Sequence, residues 1–557
     1  MIIDDALENI ILKIIDKKPK SKAEFDDARR KICGKMKTAQ PSNRNLLQSY
    51  QNLVKKKRVK VDKQLEFFMR KAGIRTLSGV AIITSLTKPY TCPGKCVYCP
   101  SEARMPKSYL SSEPAAARAL NLKFDPYEQM VKRIEMLRKS SHPTDKIEYI
   151  IKGGSWNFYP LKYQYWFILR SFQACNDLSR KQVIQKINLS TCKLEHLQTL
   201  LQKEQGYNDK HAKHKIIGLT LETRPDLITP ESIYHMRQMG CTRIELGLQA
   251  PDDKILKLTK RGHTIQQFKD AMLLLRSAGF KVDLHFMPDL PGSTAKHDVE
   301  MYKLLFSDPS FKPDMIKIYP CTVIKSAPLY KWMKTGKYKS YSSKKLFEAL
   351  IEMKTSTPRY CRISRLIRDI PTQDIEGGNL VTNLREYLSA EMKERGLKCK
   401  CLRCREVGHA SKLASTQVSK LTPKLFVDKY DTTGGTEYFL SFEDSKRQVV
   451  FAFLRLRLPE KNQNNARLSS LLGFSSLLGI SFIRELHTYG QLLDVGKKDK
   501  KASQHKGMGK KLVLEAEKIA KKNDFEKLAV ISGVGVRGYY RKLRYRKNGT
   551  YMIKKLS

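Results

Sequence analysis

A chain of 557 residues exceeds what one hydrophobic core organises, so two large domains with smaller additions are expected. Lys and Arg number 105 against 55 Asp and Glu, a formal charge of +50 that makes a polyanion, nucleic acid first, the expected partner. No run approaches the roughly 20 apolar residues that cross a bilayer, and Asp4, Asp5, Glu8 and Asp16 break up the opening apolar stretch, unlike a signal peptide. A cytoplasmic protein is therefore expected, with no membrane partner, and its 12 cysteines should stay reduced and gather for metal rather than for disulfides.

Residues 1–75 read as helices, from the spacing of Ile10, Ile11, Ile14 and Ile15 and then of Leu65, Phe67 and Phe68. Basic runs such as Lys55-Lys56-Lys57-Arg58 make this stretch a basic helical arm expected to bind nucleic acid. Over 76–358, β-rich runs at 80–84, 146–152, 215–221, 243–249, 281–286 and 315–319 alternate with helical stretches. Strands separated by helices imply right-handed crossovers and a parallel sheet, and six such units predict a partial (β/α)6 barrel.

The strongest motif directly follows the first of these strands: Cys92-Pro-Gly-Lys-Cys96-Val-Tyr-Cys99. Three thiolates on one short loop hold three irons of a [4Fe–4S] cube and leave the fourth open. An open iron suits S-adenosylmethionine (SAM), whose amino and carboxylate groups chelate it. Zinc would need a fourth Cys or His, and this loop has none. The loop resembles that of the radical SAM superfamily, and Lys152-Gly153-Gly154, at the end of the second strand, is similar to that family's glycine motif. The resemblance implies that Gly153 and Gly154 expose backbone to the SAM amino group.

Between the halves, over 359–418, Cys399-Lys-Cys401-Leu-Arg-Cys404 packs three thiols into six residues without a strand-end context, which suggests structural Zn2+. Cys361 and His409 are both candidates for the fourth ligand. Cys33, Cys175, Cys192, Cys241 and Cys321 are scattered and read as core or surface residues.

Over 419–557, strands are predicted at 438–442, 449–456, 480–488 and 528–531, with a surface loop at 460–465. Gln504-His505-Lys506-Gly507-Met508-Gly509-Lys510 opens a helix with Leu512, Val513, Ala516 and Ile519 at helical spacing. Glycines there let backbone N–H groups converge on a pyrophosphate, which coenzyme A supplies. Order and motif resemble the GNAT acetyltransferases, implying acetyl-CoA as substrate and a tyrosine, Tyr539 or Tyr540, near the thioester.

A radical SAM barrel followed by a GNAT α/β domain resembles the catalytic-subunit family of Elongator, from about residue 75 to the end. The resemblance is carried by stretches such as Leu221-Glu-Thr-Arg-Pro-Asp226, Arg261-Gly-His-Thr264, Arg368-Asp-Ile-Pro371 and Arg484-Glu-Leu-His487. Met105-Pro-Lys-Ser-Tyr-Leu is similar to the free-standing bacterial forms, so Elongator-like partner subunits are not required. The resemblance implies a tRNA-modifying enzyme that forms 5-carboxymethyluridine at the wobble position of the anticodon stem-loop, fed by an electron donor, with Tyr539, Tyr540 and Lys152 as catalytic candidates. Gly538 stands where the family has asparagine, and Arg544 where it has glycine. Lys88, Lys107, Lys152, Arg224, Lys260 and Arg261 are expected to line a path for phosphate and base. The alternative reading is a protein lysine acetyltransferase with the barrel as scaffold.

Overall fold

The computed structural model describes residues 2–70, 79–180, 187–407, 421–461, 466–474, 479–489 and 507–556. They divide into two compact units, one built on 1–82 and 132–146, the other on 83–131, 147–489 and 507–557.

In the first unit, α1 (Ile2–Asp16), α2 (Lys22–Lys35), α3 (Asn43–Lys55) and α4 (Lys63–Met69) begin where the sequence places capping groups: Ser21, Ser42 and Asp62 each accept a backbone N–H from their helix's first turn. Their apolar faces meet in a core of their own that includes Ile10, Ile14, Phe25, Leu46, Tyr50 and Phe68. The arm is thus a packed helical bundle. Within it, buried Glu8 draws in the heads of Lys56 (2.7 Å) and Arg58 (2.9 Å), so its single charge offsets one of the four in the 55–58 basic run.

The second unit contains two seven-stranded sheets. The first runs in chain order: β1 (Ala81–Leu86), β2 (Lys146–Lys152), β3 (Lys215–Thr223), β4 (Arg243–Gln249), β5 (Lys281–Phe286), β6 (Met315–Ile318) and β7 (Arg362–Arg365). Pairing is parallel from β3 through β7, with helices between, as the strand–helix alternation predicts. The seventh strand is additional to the six expected; Arg362-Ile-Ser-Arg has a single apolar residue and carries no pattern for sequence reading to catch.

The second sheet has the order β13-β14-β12-β11-β10-β9-β8, from β8 (Lys424–Thr432), β9 (Gly435–Glu443), β10 (Val450–Pro459), β11 (Ile480–Thr488), β12 (Lys527–Val530), β13 (Arg546–Asn548) and β14 (Tyr551–Lys555). All its pairings are antiparallel except β11 with β12. The helix Met508–Lys522 buries Leu512, Val513, Ala516 and Ala520 against one face, with Leu440, Leu454 and Ile483. Strands β8, β13 and β14 escaped the sequence reading because β8 and β13 are largely exposed and β14 is short.

The other face of this sheet abuts the N-terminal ends of the barrel strands. Arg484 on β11 donates to the Phe280 carbonyl (2.7 Å) and to Asp314 (2.8 Å), and Tyr551 donates to the Ala278 carbonyl (2.8 Å). Gly533 comes so close to the Ile217 carbonyl that a Cβ would overlap it. The cysteine loop and Gly153-Gly154 lie beyond the opposite, C-terminal ends of β1 and β2.

Candidate functional site

Two buried guanidinium groups underlie the first cysteine loop. Arg261 donates from Nη2 to the Gly247 carbonyl (2.7 Å) and from Nη1 to Cys96 Sγ (3.6 Å). Arg224, held by Asp226 (2.9 Å), brings its Nη1 to the place a Cβ on Gly94 would occupy, and that nitrogen is buried without a hydrogen-bond partner. The Gly94 N–H donates to Cys92 Sγ (3.4 Å), and Ser155 Oγ stands 3.8 Å from the same sulfur. Burial works to raise the Cys96 thiol, but Arg261 outweighs it and leaves Cys96 below the ordinary thiol value, whereas burial pushes Cys99 up to about 12.

These residues fit an iron–sulfur cube. Cys92, Cys96 and Cys99 do not gather within the 4.8 Å that marks ligands of one ion, while Cys399, Cys401 and Cys404 do. Positive charge beneath the loop offsets thiolate charge, and the orphaned Arg224 nitrogen awaits an acceptor. Nearby His263 is buried with neither ring nitrogen bonded; burial, then Arg261 and Arg224, lower it to about 2 and keep it neutral.

Gly153 and Gly154 have φ of +126° and +101°. A Cβ on Gly153 would overlap Thr87 Oγ1, and the Gly153 carbonyl already accepts from Tyr159 (2.8 Å) and Thr87 (3.2 Å). Gly154 is open, with nothing closer than 3.9 Å to its missing Cβ, so of the two it is the one a ligand could approach.

Lys152 faces inward into the barrel lumen, where it pairs with Glu222 (3.0 Å) and Glu245. Lys317 also pairs with Glu245, and His285 lies 3.7 Å from Glu222 and 3.4 Å from Glu245. Burial raises Glu222, but Lys152, His285 and Lys317 together outweigh it and hold the carboxyl at about 2; burial and Lys317 hold His285 at about 3, neutral. Sequence reading missed Glu222, Glu245, His285 and Lys317. The signal was there: charged residues within strands rich in apolar ones, Glu222 paired with Glu245 and His285 with Lys317. Of the six basic residues expected to line a path, Lys152, Arg224 and Arg261 turn inward, while Lys88 and Lys260 are exposed and Lys107 is half-buried.

In the second sheet, β12 accompanies β11 only as far as Ile483, and β11 continues alone to Thr488, so the two strands part. The helix Met508–Lys522 begins beside this opening with Gly507 in left-handed conformation (φ +96°) and no side-chain cap, leaving its first N–H groups for a ligand. A Cβ on Gly509 would stand 2.9 Å from Tyr539 Oη and 3.3 Å from Thr488 Cγ2. This cradle fits a pantetheine arm and pyrophosphate. Met508 is buried in the core, Lys510 is exposed, and Gln504, His505 and Lys506 lie outside the described residues.

The tyrosine pair divides. Tyr539 is 39% exposed at the opening, whereas Tyr540 is packed in the core against Tyr545. Gly538 has room for a side chain, its nearest neighbour being Arg541 at 3.7 Å, while Arg544 holds the left-handed conformation (φ +68°) that a glycine adopts without strain. His487, another residue missed, packs against the rings of Phe453 and Tyr489, with no partner for Nε2 among the described residues.

The thiols of Cys399, Cys401 and Cys404 all lie within 4.8 Å of one another, close to the roughly 3.8 Å edge of a tetrahedron with Zn–S bonds of about 2.3 Å. Burial raises Cys401, but hydrogen bonds from Cys399 and Cys404 outweigh it and bring this thiol well below its ordinary value. The Cys361 carbonyl accepts the Leu402 N–H (2.8 Å), but its thiol is not in this group, and His409 lies outside the described residues. Purified protein should carry about one zinc per chain besides iron. Elemental analysis of Cys401→Ser should show that zinc lost with the iron retained.

Comparison with known proteins agrees with this architecture. Residues 88–305 match the radical SAM superfamily and 313–394 the radical SAM C-terminal domain. The tRNA uridine(34) acetyltransferase of Methanocaldococcus jannaschii is 41% identical over 526 residues, spanning 93% of this chain and 90% of that protein. Elongator complex protein 3 of Homo sapiens is 36% identical over 495 residues, 87% of this chain and 85% of that one. Among solved structures, the archaeal Elp3 of Methanocaldococcus infernus with residues 1–46 deleted superposes with a TM-score of 0.70 at 37% identity, covering 86% of this chain and 99% of that chain.

Proposed function

This chain belongs to the family of Elongator complex protein 3 and the tRNA uridine(34) acetyltransferases, and from that premise we propose that it converts the wobble uridine of tRNA to 5-carboxymethyluridine, drawing the two-carbon unit from acetyl-CoA. The observation that carries this reading is the presence, in one compact unit, of a three-thiol loop bedded on guanidinium groups and a glycine-opened helix with a tyrosine hydroxyl over it.

Cys92, Cys96 and Cys99, with the open Gly154 backbone, would hold a [4Fe–4S] cluster and SAM, which together would supply the radical chemistry needed to activate the acetyl methyl. Arg224 and Arg261 keep the thiolate side of the loop charged and fixed. Lys152, paired with Glu222 and Glu245, keeps the lumen polar and holds the Glu222 carboxylate in place. Gly507 and Gly509 admit the coenzyme A backbone. Tyr539, and not the core residue Tyr540, positions the acetyl group or the water that hydrolyses the thioester. The uridine is reached because an anticodon loop unstacks a base at little cost.

The test is anaerobic reconstitution with iron and sulfide, then incubation with SAM, reductant, acetyl-CoA and either tRNA or basic protein. Nucleoside mass spectrometry should find 5-carboxymethyluridine, with acetyl-CoA consumed only when tRNA is present. Turnover with protein alone would establish the lysine acetyltransferase reading instead. We assign much of the tRNA affinity to the N-terminal bundle: deleting residues 1–70 should weaken binding about tenfold and flatten the slope of log affinity against log salt, because fewer counterions are released.

A further inference from the structure

An aromatic stack stands on the rim of the cysteine loop with its outer end uncovered. Tyr163 stacks on Tyr159 (5.3 Å, 25°) and Tyr159 on Tyr90 (5.0 Å, 28°), and Phe158 flanks Tyr90 at 6.2 Å. The inner rings are packing: Tyr163 and Tyr159 are 4% and 5% exposed. The outer pair is not, with Tyr90 40% and Phe158 37% exposed.

The stack is rigid. The Lys88 N–H donates to Tyr163 Oη (3.0 Å), and Tyr159 Oη donates to the Lys88 carbonyl (2.8 Å), which fixes the backbone that carries Tyr90. Tyr159 Oη also reaches the Gly153 carbonyl (2.8 Å), so the same ring anchors the platform to the glycine turn, and Tyr90 itself lies two residues before Cys92. A cleft of about 320 Å³ whose lining includes Pro89, Tyr90, Thr91, Ser101, Glu102 and Lys107 opens beside it; the Glu102 carboxylate accepts the Ser111 N–H (2.9 Å). Its surroundings are basic: Lys88, Lys95 and Arg104 are exposed.

A flat ring, held in place and bordered by cations, is the arrangement that captures a nucleobase by its face and the adjoining phosphates by charge. Resting on the tRNA reading above, we propose that Tyr90, flanked by Phe158, is the stacking platform for an unpaired anticodon-loop base adjacent to the uridine that is modified. That base, stacked on Tyr90, anchors the loop while the uridine turns toward the Gly154 side of the site. A protein side chain would not need the basic border, and SAM's adenine, the other nucleobase at hand, is separated from RNA by the test.

The experiment uses reconstituted enzyme and an anticodon stem-loop carrying 2-aminopurine next to the wobble uridine. Wild type, Tyr90→Phe and Tyr90→Trp should quench its fluorescence on binding. Tyr90→Ala should lose the quenching and bind about tenfold more weakly, within the range one base–aromatic stack contributes; Phe158→Ala should do the same to a smaller degree. Iron content, melting temperature and the KM for SAM in tRNA-free reductive cleavage should not change. Quenching and affinity in Tyr90→Ala equal to wild type would overturn the proposal, as would a raised KM for SAM, which would give the platform to adenine. If wild type itself modifies no tRNA, the functional reading fails and this assignment falls with it.

Discussion

Replacing Cys96 with alanine should lower 5-carboxymethyluridine formation at least about 10³-fold while tRNA affinity stays within twofold of wild type. Cys96 is the loop thiol whose surroundings favour the thiolate: it is 8% exposed, it accepts from Arg261, and Arg261 holds it below the ordinary thiol value against the effect of burial. With two thiolates in place of three the loop would not retain the cube, and without it SAM would have no iron to chelate. Transition-state chemistry that depends wholly on a radical has no slower route at this site, so the loss appears in kcat. The thiol is buried, so no phosphate contact goes with it. Iron and sulfide analysis, SAM cleavage assayed without tRNA and filter binding of tRNA separate these effects. An alanine variant that retained full SAM cleavage would remove Cys96 from the cluster.

The parts of this molecule legible from sequence are those in which chemistry concentrates in a short window. Three thiols in eight residues, two glycines before an amphipathic helix and the regular alternation of apolar runs with helices each state their purpose locally. Lumen chemistry is not local: Glu222, Glu245, His285 and Lys317 come from four strands, and only the parallel register places them side by side. The Tyr539–Tyr540 pair shows the same limit on a smaller scale. Adjacent in sequence and equal in type, they are separated by helical geometry, which turns one to the opening and the other into the core. Strand β7 was hidden because its position in the sheet is set by its neighbours rather than by its own composition. Tyr90 and Phe158 are 68 positions apart in sequence and adjacent in space.

Asp314→Asn should be among the most destabilising single substitutions in the protein, by about 3–5 kcal/mol. Asp314, at the start of the barrel's sixth strand, is fully buried and receives Arg484 through both oxygens (2.5 and 2.8 Å). Glu437, equally buried, receives Arg484 (2.9 Å), Arg276 (2.9 Å) and Arg457 (3.3 Å), and Glu485 receives Arg455 (2.8 Å). Arg276 and Asp314 belong to the barrel and the other five residues to the second sheet, so this lattice is the joint between the two. With Lys281, which also pairs with Glu485 (3.7 Å), five cations face three carboxylates at this joint, and the asparagine removes one of the three. Burial would raise the Asp314 carboxyl, but Arg484, Arg276 and Arg455 outweigh it and hold it far below the ordinary carboxylate range. A depressed folded value contributes stability that is present above the unfolded value of about 4 and lost as pH falls below it. The gap in unfolding free energy between wild type and Asp314→Asn should therefore be constant from about pH 5 to 8 and narrow in more acid solution. Denaturant titrations across that range, read by a probe in each sheet, measure it, and equal stability of the two proteins at pH 7 would mean that the joint does not depend on this carboxylate. Because the joint also fixes the acetyl-CoA opening relative to the barrel, the variant should lose tRNA modification more steeply than it loses tRNA-free SAM cleavage, which needs the barrel alone.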